Sequence, residues 1–315
     1  MTATLDRIVR PDVEYSAETG HRKIGLGIGA IALMVGMVVA GLGTYAASLV
    51  GTAGQEEALG RVLAIAFGLN TTALVMLKAG IAIILVGILV RIWIRVDSVK
   101  ASLAVLRPDV EVGNYTTGEI ETESGPATVS EKAASRLPIH RMANTMWAPT
   151  LLMGVMFVVA GLFVSWIWAG NVGTSTGLSA AAWTQGLQFL GEGFVLASIS
   201  FLLASILSGL REGGGEVQQA LGLPVTTLKM PNTAKAFVAL MVTGLMIEVV
   251  QFGLYVYITT FNDVARYTLW SSWLGPFREL GLGLMLAGII LALATIAKAL
   301  GFQFSRIGDI VATGK

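Results

Sequence analysis

The residue of this sequence with the greatest chemical potential is a glutamate inside an apolar run. Glu248 lies in the middle of the segment 245–251, and Gln251 follows three residues later, on the same face of a helix. A carboxyl group at membrane depth is costly, so we expect it to face the interior of a helix bundle. Two interpretations are open. Either Glu248 relays protons or cations or balances the charge of a substrate, or it makes an interhelical hydrogen bond, with Gln251 or a serine of the fourth span, that fixes the packing.

A second set of ionisable residues is predicted near the outer ends of the second, fourth and sixth spans, at corresponding places. The set consists of Lys78, Glu192, Arg278 and Glu279. If the helices converge there, Lys78 and Glu192 form an ion pair at the outer mouth of the bundle. Otherwise the long side chains extend along the helices to reach water.

The sequence lacks the residues that most redox and metal sites in membranes require. It has no cysteine, and its two histidines, His21 and His140, lie in polar segments. Haem, iron–sulfur clusters and buried metal ions depend largely on cysteine or histidine ligands, so no cofactor and no metal site are predicted. No serine–histidine or carboxylate pair is placed to activate a nucleophile. We therefore predict no catalytic residues and a protein that is not an enzyme.

The composition indicates that the chain is embedded in lipid. Of the 315 residues, 54% are hydrophobic and 13% are charged, about half the charged fraction of a soluble globular protein. Six runs are continuous, apolar and long enough to cross a bilayer as helices. They cover about 24–50, 61–95, 146–170, 184–210, 234–260 and 279–302. The predicted fold class is an all-α integral membrane protein with six transmembrane helices.

The basic residues predict the orientation of these helices. Of the 21 lysines and arginines, all but Arg61, Lys78, Arg266 and Arg278 fall in the terminal segments and connections on one side of the predicted membrane, or at the helix ends beside them. Positively charged connections stay on the cytoplasmic side. Both termini are therefore predicted to be cytoplasmic, in a multi-pass protein of the cell inner (plasma) membrane.

Short repeated segments predict that the chain contains three related helical hairpins. Arg10–Glu14 recurs letter for letter as Arg107–Glu111, and Val38–Leu42 recurs as Val158–Leu162, with a period of about one hundred residues. Repeated elements of membrane proteins are usually arranged around an axis of pseudo-symmetry. Three hairpins would then surround a common axis or stack side by side.

The predicted organisation alternates polar segments with the three hairpins. The alternating sequence of 110–123 indicates a small strand pair or an extended linker, and the glycine-rich stretch 212–233 indicates a connector. The predicted parts are a tail (1–23), hairpin 1 (24–95), a linker (96–145), hairpin 2 (146–210), a linker (211–233), hairpin 3 (234–302) and a tail (303–315).

These features leave three functions open. The first is a non-catalytic structural or accessory subunit of a larger membrane complex, which fits the scarcity of intramembrane charge. The second is a small-molecule or ion transporter or channel that uses the central acidic residue Glu248. The third, an enzyme acting on a lipid, has no catalytic pair to support it. Expected partners are the bilayer, other membrane subunits and further copies of this chain, whereas the net charge of +1 gives no reason to expect nucleic acid.

Overall fold

The computed structural model describes residues 56–106, 117–122, 125–132, 137–220, 222–261 and 263–313, and isolated positions between 31 and 45. The continuous segments form five long helices and a small β-sheet. The helices are α1 (Glu56–Leu106), α2 (Pro138–Gly170), α3 (Ser175–Ala220), α4 (Asn232–Ile258) and α5 (Val264–Thr313), and the strands are β1 (Gly118–Thr122), β2 (Gly125–Ser130) and β3 (Val225–Leu228).

Each of the five helices contains a stretch that is long and apolar enough to cross a membrane. The protein is therefore mostly helical and suited to a membrane, as its composition predicts. These helices correspond to the second to sixth predicted spans. The first predicted span, 24–50, lies largely outside the described residues, although the positions described between 31 and 45 are helical. The six-helix topology, with both termini on one side, thus stays a prediction.

Three of the helices are much longer than a bilayer requires. α1, α3 and α5 contain 51, 46 and 50 residues, whereas about 20 helical residues cross the hydrocarbon core. The helices continue through 96–106 and 211–220, which the hydropathy pattern assigned to linkers. Hydropathy marks only the part of a helix that lies in lipid, so it does not locate the end of a helix that extends into water.

One end of the bundle carries an antiparallel sheet with the strand order β1–β2–β3. β1 and β2 form a hairpin; β1 lies in the segment 110–123, for which a strand pair was one predicted option, whereas β2 follows that segment. Gly125 begins β2 with φ +125°, a conformation that favours glycine. We call this end of the molecule the sheet end, and the opposite end, where α2 turns into α3 and α4 into α5, the loop end.

β3 comes from the segment predicted to be a simple connector. It pairs with β2, where Ser130 lies opposite Val225. The strictly all-α prediction misses this strand because β3 has only four residues and its partner is far away in the sequence. The sheet thereby joins the segment before α2 to the connection between α3 and α4.

α3 is the central helix of the bundle. It contacts α1, α2, α4 and α5, and 67% of its most apolar stretch is buried, against 28–33% for the other four helices. Leu202 and Leu203 of α3 share an apolar cluster with Leu89 of α1 and Met285 of α5. Polar residues on this stretch of α3 therefore face protein rather than lipid.

Glycines bring the two helices of each hairpin into backbone contact. A Cβ atom on Gly191 would lie 2.6 Å from the carbonyl oxygen of Gly154, and one on Gly244 would lie 2.8 Å from the carbonyl oxygen of Gly281. Larger residues would push the helices apart. The two contacts lie at equivalent positions of the two hairpins: Gly244 follows Gly154 by 90 residues, and Gly281 follows Gly191 by 90 residues.

Candidate functional site

Three charged side chains from three helices meet in one ion-pair network. The carboxylate of Glu192 on α3 accepts a hydrogen bond from the ammonium group of Lys78 on α1. It accepts another from Nη2 of Arg278 on α5, at 2.5 Å. The Glu192 side chain is only 3% exposed. The ion pair that the sequence left open is thus present, and Arg278 joins it.

The network lies several helical turns from the loop end of the bundle. Lys78, Glu192 and Arg278 lie 22, 17 and 14 residues from the first residues of their helices. Glu192 is nine residues from Trp183, or about 13 Å along a helix. If Trp183 lies at a membrane interface, this distance brings the network close to the middle of a hydrocarbon core of about 30 Å. The position of these charges at an outer mouth stays a prediction.

Glu279, the remaining residue of this set, touches only the edge of the network. Its carboxylate accepts a hydrogen bond from Nη1 of Arg278 at 3.3 Å, but its side chain is 70% exposed. It therefore lies on the outer surface of α5 rather than between helices.

Glu248 on α4 lies beside the network in a niche formed by glycines. The residue is 1% exposed, and a Cβ atom on Gly281 of α5 would lie 2.7 Å from its Oε1 atom. A Cβ atom on Gly193 of α3 would lie 2.9 Å from its Cγ atom. The carboxyl group is therefore inserted between α3 and α5, in the interior of the bundle, and glycine at both positions leaves room for it.

Both carboxylate oxygens of Glu248 lack a hydrogen-bond partner in the described part of the chain. The partners suggested by the sequence are engaged elsewhere. Nε2 of Gln251 donates to the carbonyl oxygen of Leu274 at 3.1 Å, and Oγ of Ser200 donates to that of Leu196 at 2.9 Å. The predicted interhelical hydrogen bond is therefore not formed. Because a buried charge without partners is costly, the niche favours the protonated, neutral carboxyl.

Charged residues of both signs surround Glu248. It lies within electrostatic range of Lys78, Glu192, Arg278 and Glu279. These four residues carry two positive and two negative charges, which balance one another. The cluster is neutral when Glu248 is protonated and carries one net negative charge when it is ionised. The ionised site would therefore attract a proton or a cation, which is the property required of a relay or a coupling site.

Two residues of α3 that sequence reasoning missed complete the site. The guanidinium group of Arg278 lies over the ring of Phe189, 3.9 Å from its centroid, in a cation–π contact. Nε2 of Gln188 donates to the carbonyl oxygen of Gly68 on α1 at 3.1 Å. Gln188 and Phe189 lie one helical turn before Glu192, on the same face of α3. A search of the positions three and four residues from each charged residue would have found them.

Among the described residues, no group of three or more histidine, cysteine, aspartate or glutamate side chains is placed to hold a metal ion. The site instead brings together carboxyl groups and cations, whose chemistry is proton exchange and charge pairing. Comparison with protein-family models, with curated protein sequences and with solved structures finds no match to this chain.

Proposed function

We propose that this protein is a transporter that moves a proton together with a small molecule or ion, and that Glu248 is the group that gains and loses the proton. The observation that carries this proposal is the buried, unpartnered carboxyl group of Glu248 beside the network of Lys78, Glu192 and Arg278. Ionisable side chains at membrane depth are costly and typically belong to substrate pathways or proton relays.

The depth of the network favours transport over a purely structural role. By sequence alone Glu248 was an isolated acid, and a single acid is little for coupled transport. In the fold, Arg278 lies within electrostatic range of two carboxyl groups, those of Glu248 and Glu192. Ionised Glu248 would compete with Glu192 for this guanidinium group. If Arg278 moved from Glu192 on α3 to Glu248 on α4, the packing of α5 would change. The bundle would then have two alternative arrangements, as a two-state transition requires.

The proposed topology has six spans in three hairpins within the cell inner membrane, with both termini and the sheet end in the cytoplasm. It rests on the distribution of basic residues and on the 90-residue offset shared by the glycine contacts of the two described hairpins. The offset supports an origin of α2–α3 and α4–α5 from one repeated unit, with 24–95 as the proposed third copy. Transporters commonly place their sites where such repeats meet, and Glu192 and Glu248 lie on facing helices of the two hairpins.

A second candidate function is that of an accessory subunit of a larger membrane complex. The observation in its favour is Glu279, whose exposed carboxylate lies at the depth of the ion-pair network. A partner helix with a polar or basic side chain would remove the cost of leaving this group in lipid. Purification from the native membrane in lipid nanodiscs, followed by mass spectrometry, tests this candidate. Another membrane subunit at fixed stoichiometry supports it, whereas a particle that contains only this chain contradicts it.

The transport proposal is tested with purified protein in liposomes that carry a potassium gradient and valinomycin. Proton entry is followed with a pH-sensitive dye, with amino acids, sugars and small ions supplied in turn outside. We expect a solute-dependent proton influx that Glu248→Gln abolishes, while Glu121→Gln, on the exposed strand β1, leaves it unchanged. An influx in Glu248→Gln equal to that of the wild type would remove Glu248 from the mechanism.

An infrared measurement tests the protonation of Glu248 without knowledge of the substrate. A protonated carboxyl group has a carbonyl stretch that is well separated from the bands of a carboxylate. We expect a band of this kind at neutral pH in the wild type that is missing from Glu248→Gln and present in Glu121→Gln. Identical spectra for the wild type and Glu248→Gln would contradict a protonated group in the niche.

A further inference from the structure

A crevice lies at the sheet end, between the start of α2, the helices α3 and α5, and the segment that connects β3 to α4. Most of its wall is apolar, formed in part by Ala204, Leu207, Phe237, Val238, Ala299 and Phe302. Ile139 and Met230 also line it and are more than a third exposed. The crevice is therefore open to the surroundings of the bundle rather than sealed inside it.

Two arginines lie close together, and one of them forms part of the wall of this crevice. Arg211 lines it, and its buried Nε atom has no hydrogen-bond partner in the described part of the chain. Arg306 is 2% exposed, stacks on Phe302 at 4.5 Å and donates from Nη1 to the carbonyl oxygen of Arg211 at 3.4 Å. Burial, together with the neighbouring charge of Arg211, lowers the pKa of Arg306 to about 10. The two cations thus lie close together where hydration is poor.

The carboxylates near the crevice have partners of their own. Glu119 pairs with Lys229, which also lines the crevice. Glu212 accepts a hydrogen bond from Ser208 at 2.8 Å, lies 3.3 Å from Nδ1 of His140 and is within electrostatic range of Arg211. Among these described side chains, the three cations Arg211, Arg306 and Lys229 exceed the two carboxylates by one charge.

We propose that the crevice binds one anionic phospholipid, with its phosphate group at Arg211 and Lys229 and an acyl chain along the apolar wall that includes Phe237. A free anion would bind Arg211 but gains nothing from the apolar wall, and a neutral apolar molecule leaves the buried Nε atom of Arg211 without a partner. An anionic lipid satisfies both parts of the crevice. Basic pockets between transmembrane helices are known to bind lipid headgroups in this way.

This site is separate from Glu248 and does not depend on the transport proposal. It is tested on the full-length protein by native mass spectrometry in detergent, with phosphatidylglycerol and phosphatidylethanolamine that carry the same acyl chains. We expect one bound phosphatidylglycerol, held more tightly than phosphatidylethanolamine. Arg211→Gln should weaken its binding about fivefold, the effect of one cation at an anionic headgroup, and Arg211→Lys should retain most of it.

Arg141→Gln is the matched control, since Arg141 is an exposed arginine near the same end of α2. It should leave phosphatidylglycerol binding unchanged. A second variant, Ala299→Phe, fills the apolar part of the crevice and should reduce binding of both lipids if it stays folded by thermal denaturation. If it does not, the arginine variants still decide the outcome.

Three results would overturn the proposal. The first is equal binding of phosphatidylglycerol to the wild type and to Arg211→Gln, and the second is equal affinity for the two lipids. The third is displacement of phosphatidylglycerol by millimolar inorganic phosphate, which would show that the acyl chain contributes nothing and that the crevice is a free-anion site.

Discussion

The hairpins α2–α3 and α4–α5 have the same glycine contact between their helices, but an apolar side chain lies beside this contact in the first hairpin and a carboxyl group in the second. In the first hairpin, a Cβ atom on Gly191 would lie 2.6 Å from Cγ2 of Val158. In the second, a Cβ atom on Gly281 would lie 2.7 Å from Oε1 of Glu248. Val158 and Glu248 hold equivalent positions, 90 residues apart, and both are fully buried. One niche is thus filled by a methyl group and the other by a carboxyl group.

Neighbouring equivalent positions also differ in polar character. Arg278 of α5 corresponds to Gln188 of α3, and Gln251 of α4 corresponds to Gly161 of α2, again at an offset of 90. The side chain of Gln251 donates to the carbonyl oxygen of Leu274. In the first hairpin the side chain of Gln188 packs at this place, since a Cβ atom on Gly161 would lie 2.5 Å from its Cγ atom. The two hairpins therefore place different polar groups on an equivalent backbone, and Glu192 of the first has Leu282 as its equivalent in the second.

The comparison teaches that a carboxyl group is not needed to pack this kind of niche. Val158 fills its niche within an apolar cluster that includes Val195, so the chain itself contains an apolar solution. A buried carboxyl without partners costs stability. The proposed role of Glu248 in transport would account for this cost, and variants that exchange equivalent side chains between the two hairpins test it.

Val158→Glu is expected to be the most damaging exchange between the hairpins. Val158 packs with the apolar side chains of Val75, Ala79 and Val195, so a carboxyl group there would be buried among apolar groups. We expect a loss of about 3–5 kcal/mol in the free energy of unfolding, measured by denaturation in detergent micelles. A folded Val158→Glu protein of wild-type stability would show that the two niches are electrostatically alike.

Glu192→Gln should have the next largest effect, because it leaves two cations without their shared carboxylate. Lys78 and Arg278 are 25% and 19% exposed, so some hydration remains and we expect a loss of about 2–3 kcal/mol. The double variant Lys78→Met/Glu192→Gln should recover part of this loss. A double-mutant cycle measures the coupling, and strictly additive losses would show that the ion pair contributes no stability.

Gly193→Ala and Gly283→Ala compare equivalent positions on α3 and α5. A Cβ atom on Gly193 would lie 2.9 Å from Cγ of Glu248, whereas one on Gly283 would meet no atom within 4 Å. We expect Gly193→Ala to cost about 1–2 kcal/mol by overpacking. Gly283→Ala should be neutral or gain up to about 1 kcal/mol through helix propensity. Thermal denaturation of both proteins checks this, and the reverse order would contradict the niche.

Glu248→Val makes the second hairpin resemble the first and should have the smallest effect on stability. It removes an unpartnered carboxyl group and leaves a small space, and these contributions oppose each other. We expect a change within about 1 kcal/mol, together with complete loss of the proposed proton-coupled transport. A loss of stability as large as that of Val158→Glu would indicate that Glu248 holds the helices together.

Some of the site was predictable because it depends on local features of the sequence. A glutamate within an apolar run is recognisable without a fold, and Glu248 is indeed buried in the bundle. The sequence left two arrangements open for Lys78 and Glu192, an ion pair or separate extension to water, and the structure has the ion pair. Its distance from the loop end was not predictable, because polar and aromatic residues at the beginning of α5 lower the hydropathy there and hide the true start of the helix. The strand β3 was missed because its four residues gain their hydrogen bonds from a distant strand.

By itself the sequence determined that the chain is suited to a membrane and that Glu248 belongs to a segment apolar enough to cross it, because transfer into lipid depends on the composition of one continuous segment. Only the tertiary structure decided which carboxyl group is paired and which is not. Glu192 meets Lys78 and Arg278 across 114 and 86 positions of the chain. These contacts depend on where each helix begins and on which face of the helix the glycine contacts place in the interior. No local sequence pattern encodes either property.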